Sequence, residues 1–361
     1  MNKIKIIHIL ASKIFSGAEN VVCQIIAMNA EYADYEMSYC SPEGPELREA
    51  LANRNIRYLP LNSLSVKTIR QIIKKEQPDI IHAHDMKASV VAAIACGKTP
   101  LICHIHNNAF DAQRLSLKSI SFLIAGLKAR RIFWVSESAF QGYRFRGVFE
   151  KKSEVLENII NIEEVRCKAT EAENRNKYDV IFLGRLVYQK NPQRFVDIIE
   201  KLKKIKPAIK AAMLGVGELE AEIRQMIHEK GLEDQIDLLG FIQNPYGLIK
   251  EARCMLMTSR WEGLPMSALE AMALGTPIIS TPVDGIKRII QNGKEGFLAE
   301  DDSHLIDAVQ VLLNDADKRE TISKYTIERS EQLNDRAFYF EHIRRAYTYV
   351  YEASGGAGQT G

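Results

Sequence analysis

Runs that are apolar throughout, instead of alternating with polar residues, recur along this chain with helical stretches between them. That pattern constrains the fold more than any other feature. Residues 4–10 (IKIIHIL), 36–41, 56–61, 79–85 (DIIHAHD), 100–106 (PLICHIH) and 131–138 (RIFWVSES) are strand candidates, with a helix predicted over 18–28 and another ending near Glu76. A strand apolar on both faces is buried on both faces, which is the condition of a parallel sheet covered by helices. Between Glu163 and Lys177 the chain becomes charged and loses its apolar periodicity, which reads as a linker. The pattern then restarts at 178–184, 211–215, 236–240, 254–259 and 277–281. At 361 residues the chain exceeds what one hydrophobic core usually holds. The expectation is two α/β domains, 1–165 and 166–335, then an amphipathic helix over 336–352 packing back on the first domain, and a flexible tail over 353–361.

Cysteine and charge usage exclude several classes. The six cysteines are scattered with no CxxC pair and no signal peptide opens the chain, so free thiols in a reducing cytoplasm are expected. The longest apolar candidate, SISFLIAGL over 119–127, falls well short of the roughly 20 residues a membrane-spanning helix needs. A net charge of +2 argues against a nucleic-acid partner. The charge is nonetheless uneven. Residues 1–170 carry 23 Lys+Arg against 17 Asp+Glu, and from Arg114 to Lys152 nine basic residues face only Glu137 and Glu150. Such a segment is either a solvated basic face or an approach surface for anionic lipid or an anionic acceptor.

Several loops at strand ends have the composition of ligand sites. In GRLVYQKNPQRF, Arg185 and Lys190 flank a loop that enters a helix through Asn191-Pro192, an N-cap followed by proline at the first helical position. Two cations beside a helix N-terminus form an anion site. Gly17 in KIFSGAEN and Gly215 and Gly217 in LGVGELE mark close backbone approach or simple turns. Histidines gather at two strand ends: His82 and His84 with Asp85, then His104 and His106 with Asn107. Strand ends are where doubly wound sheets bind ligands. One or two of these histidines read as buried and satisfied, and the spacing assembles no metal-ligand set. In SRWEGLPMSALEAMALGTP, Gly263 and Pro265 make a turn and a helix starts near Pro265 or Met266. Glu270 then stands ~7 Å beyond the first turn, a span that fits diphosphate to ribose. The neighbours of Glu270 are Ala, Leu and Met, which disfavours a solvated face.

Taken together, SGAE, GRLVYQKNP, LGVGELE, LLGFIQN and E-GLPMSAL-E followed by GTP, in that order, resemble the retaining glycosyltransferases of family 4. The resemblance implies a GT-B fold, two Rossmann-like parallel-sheet domains facing a central cleft. It also implies transfer of a hexose or N-acetylhexosamine from a nucleotide diphosphate sugar, UDP favoured, to a glycan or lipid-linked acceptor in bacterial surface-polysaccharide synthesis, with no cofactor and no metal. In the roles so implied, Arg185 and Lys190 bind the diphosphate and Glu270 the ribose. Glu262 and the backbone of Gly263, Leu264 and Pro265 contact sugar and phosphate, Gly17 lets its loop close over the diphosphate, and Phe241 and Ile242 lie near the base. His106 is the catalytic histidine, with His104 the alternative, and His84, Asp85 and Asn107 lie on the acceptor side. Two positions depart from the family pattern: Ser16 stands where many relatives have a first glycine, and Lys287 where they have an acid. A nucleotide-sugar epimerase of the same fold and a non-catalytic nucleotide-sugar-binding partner are the competing readings. Product analysis with donor alone separates the first from transfer, and binding without UDP release marks the second.

Overall fold

The structure, a computed structural model, describes residues 3–15, 17–32, 34–106, 112–171 and 177–355. Two compact units emerge: residues 1–158 with 336–361, and residues 159–335. The first unit contains β1 (Ile4–Ile9), α1 (Gly17–Tyr32), β2 (Tyr35–Pro42), α2 (Pro45–Ala52), β3 (Tyr58–Leu61), α3 (Val66–Glu76), β4 (Ile80–His84), α4 (Met86–Ala95), β5 (Leu101–Ile105), α5 (Leu117–Lys128), β6 (Arg131–Trp134), α6 (Glu137–Gln141) and β7 (Ser153–Val155). The second contains α7 (Ile162–Glu171), β8 (Val180–Leu183), α8 (Pro192–Ile205), β9 (Ala211–Leu214), α9 (Glu220–Glu229), β10 (Ile236–Gly240), α10 (Tyr246–Glu251), β11 (Cys254–Met257), α11 (Met266–Ala273), β12 (Ile278–Ser280), α12 (Asp284–Lys287), β13 (Gly296–Leu298), α13 (Asp302–Asn314) and α14 (Ala316–Leu333). The last helix, α15 (Arg336–Glu352), returns to the first unit.

Both sheets are parallel, with strand orders β3-β2-β1-β4-β5-β6-β7 and β10-β9-β8-β11-β12-β13. The uninterrupted apolar runs have the burial they imply: every residue of β4, β5, β9 and β11 is buried. In each sheet the chain winds outward from one strand to an edge and then resumes on that strand's other side. The two crevices so formed lie beyond the carboxyl ends of β1/β4 and β8/β11, where doubly wound sheets bind ligands.

The segment read as a linker is a helix as far as Glu171, and residues 172–176 lie outside the described residues. Ile162, Val165 and Ala169 recur on one face and are buried as α7 packs on α10 and α11, a three-residue apolar stripe too sparse to stand out among charges. That packing carries the unit boundary back to 158/159 from the expected 165/166. The short strands β7 and β13 gave no apolar run in the sequence. Helix α15 is held to the first unit by buried Tyr339, Phe340, Ile343, Tyr347 and Val350, by an ion pair from Arg344 to Asp34 at 2.8 Å and by a hydrogen bond between His342 and Glu154. The tail beyond Gly355 lies outside the described residues.

Candidate active site

The crevice at β8/β11 gathers the two strongest motifs. The loop after β8 carries Arg185, Gln189 and Lys190 into α8. The loop after β11 carries Ser259, Glu262 and the Gly263-Leu264-Pro265 turn into α11. Because β8 and β11 are neighbours in the sheet, residues 72 positions apart meet: Lys190 Nζ lies 2.6 Å from Glu262 Oε1. The same carboxylate oxygen accepts from Ser259 Oγ at 2.6 Å, and Gln189 Nε2 donates to Oε2 at 3.3 Å. The pair is nearly dry, with side-chain exposures of 14% for Lys190 and 5% for Glu262. Arg185 is exposed and has no carboxylate partner among the described residues, so it is the cation left free to meet an anion at this crevice.

Helix α11 begins at Met266 behind Pro265, an N-cap residue that makes no side-chain capping bond. Glu270 is buried rather than solvated, and Tyr246 Oη donates to its Oε1 at 3.3 Å. At α8, Asn191 occupies the N-cap position with φ 53°, yet its side chain does not cap. Its Oδ1 accepts from Arg260 Nη2 at 2.8 Å instead, tying the loop after β8 to the loop after β11. Gly215 and Gly217 are glycines for packing reasons. A Cβ on Gly215 would fall 2.1 Å from Gly184 O and one on Gly217 2.2 Å from Leu186 O, so both let the loop after β9 press against the loop that holds Arg185. Gly285, which the sequence did not single out, does the same for the glutamate turn: its Cβ would lie 1.7 Å from Gly263 O. Phe241 and Ile242 follow the edge strand β10, half-buried.

The crevice at β1/β4 holds histidines, and one more of them than the motifs announced. His8 on β1 joins His82, His84, His104 and His106, all buried. A lone histidine within IKIIHIL reads as an ordinary core residue, and only the pairing of β1 with β4 reveals its neighbours. His8 Nδ1 lies 3.0 Å from His84 Nε2, and His84 Nδ1 lies 2.9 Å from His106 Nε2. Below this row His82 and His104 lie with parallel rings, and His82 Nδ1 meets Tyr347 Oη at 2.8 Å. Burial pushes the His8 and His106 imidazoles down to about 3 and holds the other three well below the usual histidine range. Neutral imidazoles carry one N–H each, so both bonds of the His8–His84–His106 row form only when His84 accepts from one neighbour and donates to the other.

Of the one or two histidines expected to be buried and satisfied, His84 is the one with both nitrogens bonded. Both nitrogens of His104, and one each of His8, His82 and His106, are buried without a hydrogen-bond partner. His8, His82 and His84, and likewise His84, His104 and His106, each bring three nitrogens within 4.8 Å of one another, the sets that among the described residues could hold a metal ion. His84, common to both sets, already spends both its nitrogens on its neighbours. The only Asp-x-Asp triplet is accounted for by folding: Asp315 caps α14, its Oδ1 accepting from Lys318 N at 2.8 Å.

The expected acceptor-side residues divide. His84 lies inside the sheet, fully buried, and supports His106 from behind. Asp85 stands at the strand end in a backbone conformation rare for a side-chain-bearing residue, φ 73°. Its carboxylate accepts from Ala88 N at 2.8 Å at the start of α4 and from Ala11 N at 3.3 Å beyond β1. Burial raises the Asp85 carboxyl to about 6 despite these bonds. Asn107 and Ser16 lie outside the described residues, and Gly17 opens α1. Of the two candidate histidines His106 sits nearer the strand end and retains 6% exposure, while His104 retains none.

Comparison with known proteins follows the same division of the chain. The profile of the family described as Glycosyl transferases group 1 matches residues 166–329, and that of Glycosyltransferase Family 4 matches residues 15–164. The chain is 25% identical over 330 residues, 83% of its length and 84% of the relative's, to the UDP-Gal:alpha-D-GlcNAc-diphosphoundecaprenol alpha-1,3-galactosyltransferase of Escherichia coli. It is 24% identical over 309 residues, 81% of its length and 85% of the relative's, to the capsular polysaccharide biosynthesis glycosyltransferase CapH of Staphylococcus aureus. The crystal structure of Anabaena Alr3699/HepE in complex with UDP-glucose superposes with a TM-score of 0.82 at 20% identity, covering 96% of this chain and 99% of that one. The chain is a glycosyltransferase of the GT-B fold.

Proposed function

We propose that the protein is a retaining, metal-independent hexosyl- or N-acetylhexosaminyltransferase that uses a UDP-sugar and a glycan or lipid-linked acceptor in bacterial surface-polysaccharide synthesis. The observation that carries this reading is the buried Lys190–Glu262 pair beside the uncapped start of α11 at the β8/β11 crevice, with exposed Arg185 on the same loop as Lys190. The relatives' names, with UDP-Gal, a diphosphoundecaprenol acceptor and capsular polysaccharide, support the donor and the acceptor class, and a lipid-linked acceptor would bring the reaction to the inner membrane face. In this reading Arg185 and Lys190 take the diphosphate, Glu270 the ribose hydroxyls, and the Gly263–Pro265 backbone the phosphate and sugar. Glu262 holds Lys190 in place, and His106 serves the acceptor side with Asp85 and Asn107.

Breaking the bond between C1 and the phosphate oxygen builds negative charge on the departing UDP. Fixed cations and helix N–H groups stabilise such charge without a metal ion. The acceptor oxygen bonds to C1 on the face the diphosphate leaves, and a diphosphate oxygen takes the acceptor's proton, so configuration is kept.

A thermal-shift panel of UDP, GDP, ADP and their sugars, followed by transfer assays with EDTA, tests this. UDP and one UDP-sugar should stabilise the protein by ~2.7 kcal/mol at 100 times Kd. Transfer should persist in EDTA and conserve the anomeric configuration by NMR. Silence across the panel, activity that EDTA abolishes and Mn²⁺ restores, or an inverted product would each overturn the corresponding part.

A further inference from the structure

The helix α5 has two apolar faces, and only one is buried. Ser119, Phe122, Ala125 and Gly126 face the core, while Leu117, Ile120, Ile124 and Leu127, at i, i+3, i+7 and i+10, form a stripe on the opposite side. Leu117 is 89% exposed, Leu127 60% and Ile124 58%, with Leu115 just ahead of the helix at 73%. A monomeric protein rarely leaves so many large apolar side chains together in water. The helix is not a frayed segment. Ser116 and Ser119 form a reciprocal capping box, Tyr143 Oη donates to Ser119 O at 2.8 Å, and Gly126 admits the Phe149 ring, which a Cβ would meet at 2.4 Å. Val148, beside Phe149 in the chain, is 55% exposed.

The surroundings of the stripe are cationic. Lys118 and Lys128 lie on α5 itself, Lys152 Nζ donates to Leu127 O at its end, and Arg146 and Lys151 flank Val148 and Phe149. Among the described residues none of Lys118, Lys128, Arg146 and Lys151 pairs with a carboxylate. A second copy of the chain is a poor occupant, because a two-fold contact would set this positive rim against itself. An apolar stripe with a basic rim matches the boundary of an anionic bilayer, where the side chains enter the acyl edge and the cations meet phosphate headgroups.

We infer that the outward face of α5 docks this protein onto membranes containing anionic phospholipid. The inference rests on the transferase reading only in that a lipid-linked acceptor gives the docking a purpose. The test is co-sedimentation of the full chain with vesicles of zwitterionic lipid alone and of three parts zwitterionic to one part anionic phospholipid, without donor or acceptor. The protein should bind the anionic vesicles and be partly released by high salt. Leu117→Gln with Ile124→Gln should weaken partitioning at least about tenfold, and Lys118→Glu with Lys128→Glu about fivefold or more for each cation reversed. Both pairs should leave Tm and turnover of a water-soluble acceptor unchanged. Failure to bind anionic vesicles, equal binding by the Leu117/Ile124 variant, or a dimer that this variant dissolves without vesicle binding overturns the inference. A chain that binds vesicles yet transfers no sugar overturns the transferase reading alone.

Discussion

Replacing Lys190 by Met should destabilise the second unit well beyond the loss of a surface charge, because the partner left behind is buried. Glu262 keeps only 5% of its side chain in water, and without Lys190 its carboxylate retains the neutral donors Ser259 Oγ and Gln189 Nε2. Removing one member of a buried pair costs about 3–5 kcal/mol. Both neutral hydrogen bonds persist and keep the carboxylate partly solvated, so the low end, about 3 kcal/mol, is expected. For a unit spanning residues 159–335 this lowers Tm by about 6–12 °C. Glu262→Gln should cost less, about 1–2 kcal/mol, since the Lys190 ammonium is the more exposed partner and its flexible stem can return it to solvent. The double variant should then be more stable than the sum of the two losses implies, by about 2 kcal/mol. Calorimetric Tm and urea midpoints of the four proteins form the cycle. A Lys190→Met Tm within about 1 °C of wild type, or strictly additive losses, would refute the claim that the two side chains form one buried unit.

Arg185→Ala makes the complementary experiment: the exposed, unpaired guanidinium should leave Tm within about 0.5 kcal/mol of wild type while turnover falls about a hundredfold or more, as donor titrations and rates will show. Gly285→Ala should destabilise by about 1–3 kcal/mol and reduce turnover together, because its methyl group displaces Gly263 O and with it the Glu262 turn, measurable by urea unfolding and activity on the same sample. The first unit should weaken on acidification. Its buried imidazoles titrate near 6.5 when unfolded and at about 3 (His8, His106) or well below 6.5 when folded. Their contribution is therefore present above 6.5 and lost as pH falls below it, by about 1 kcal/mol per histidine between pH 7 and 5.5. Asp85 works in the opposite sense: its carboxyl is raised from 3.8 to about 6, so its contribution is present below about pH 4 and fades as pH rises through 6. Asp85→Asn should flatten that part of the stability profile.

The architecture was legible in the sequence because burial on both faces leaves a one-dimensional trace: IKIIHIL and CMLMTS could be read as central strands without knowing their neighbours. The E-x7-E spacing was legible for a similar reason, since a turn and one helix separate Glu262 from Glu270. What tertiary structure alone decided are contacts between distant segments. That Lys190 neutralises Glu262 depends on β8 lying beside β11, and that His8 completes a histidine row depends on β1 lying beside β4; neither adjacency is written in any local pattern. Asn191 has the composition of a cap, yet it bonds Arg260, because a neighbouring loop competes for its side chain. Likewise SISFLIAGL showed its apolar content in the sequence, but which of its residues face the core and which face water was settled by the packing of Tyr143 and Phe149 against one side of the helix. Local periodicity specifies which elements form, while the order of strands in the sheet determines which of their ends meet and so where chemistry can be assembled.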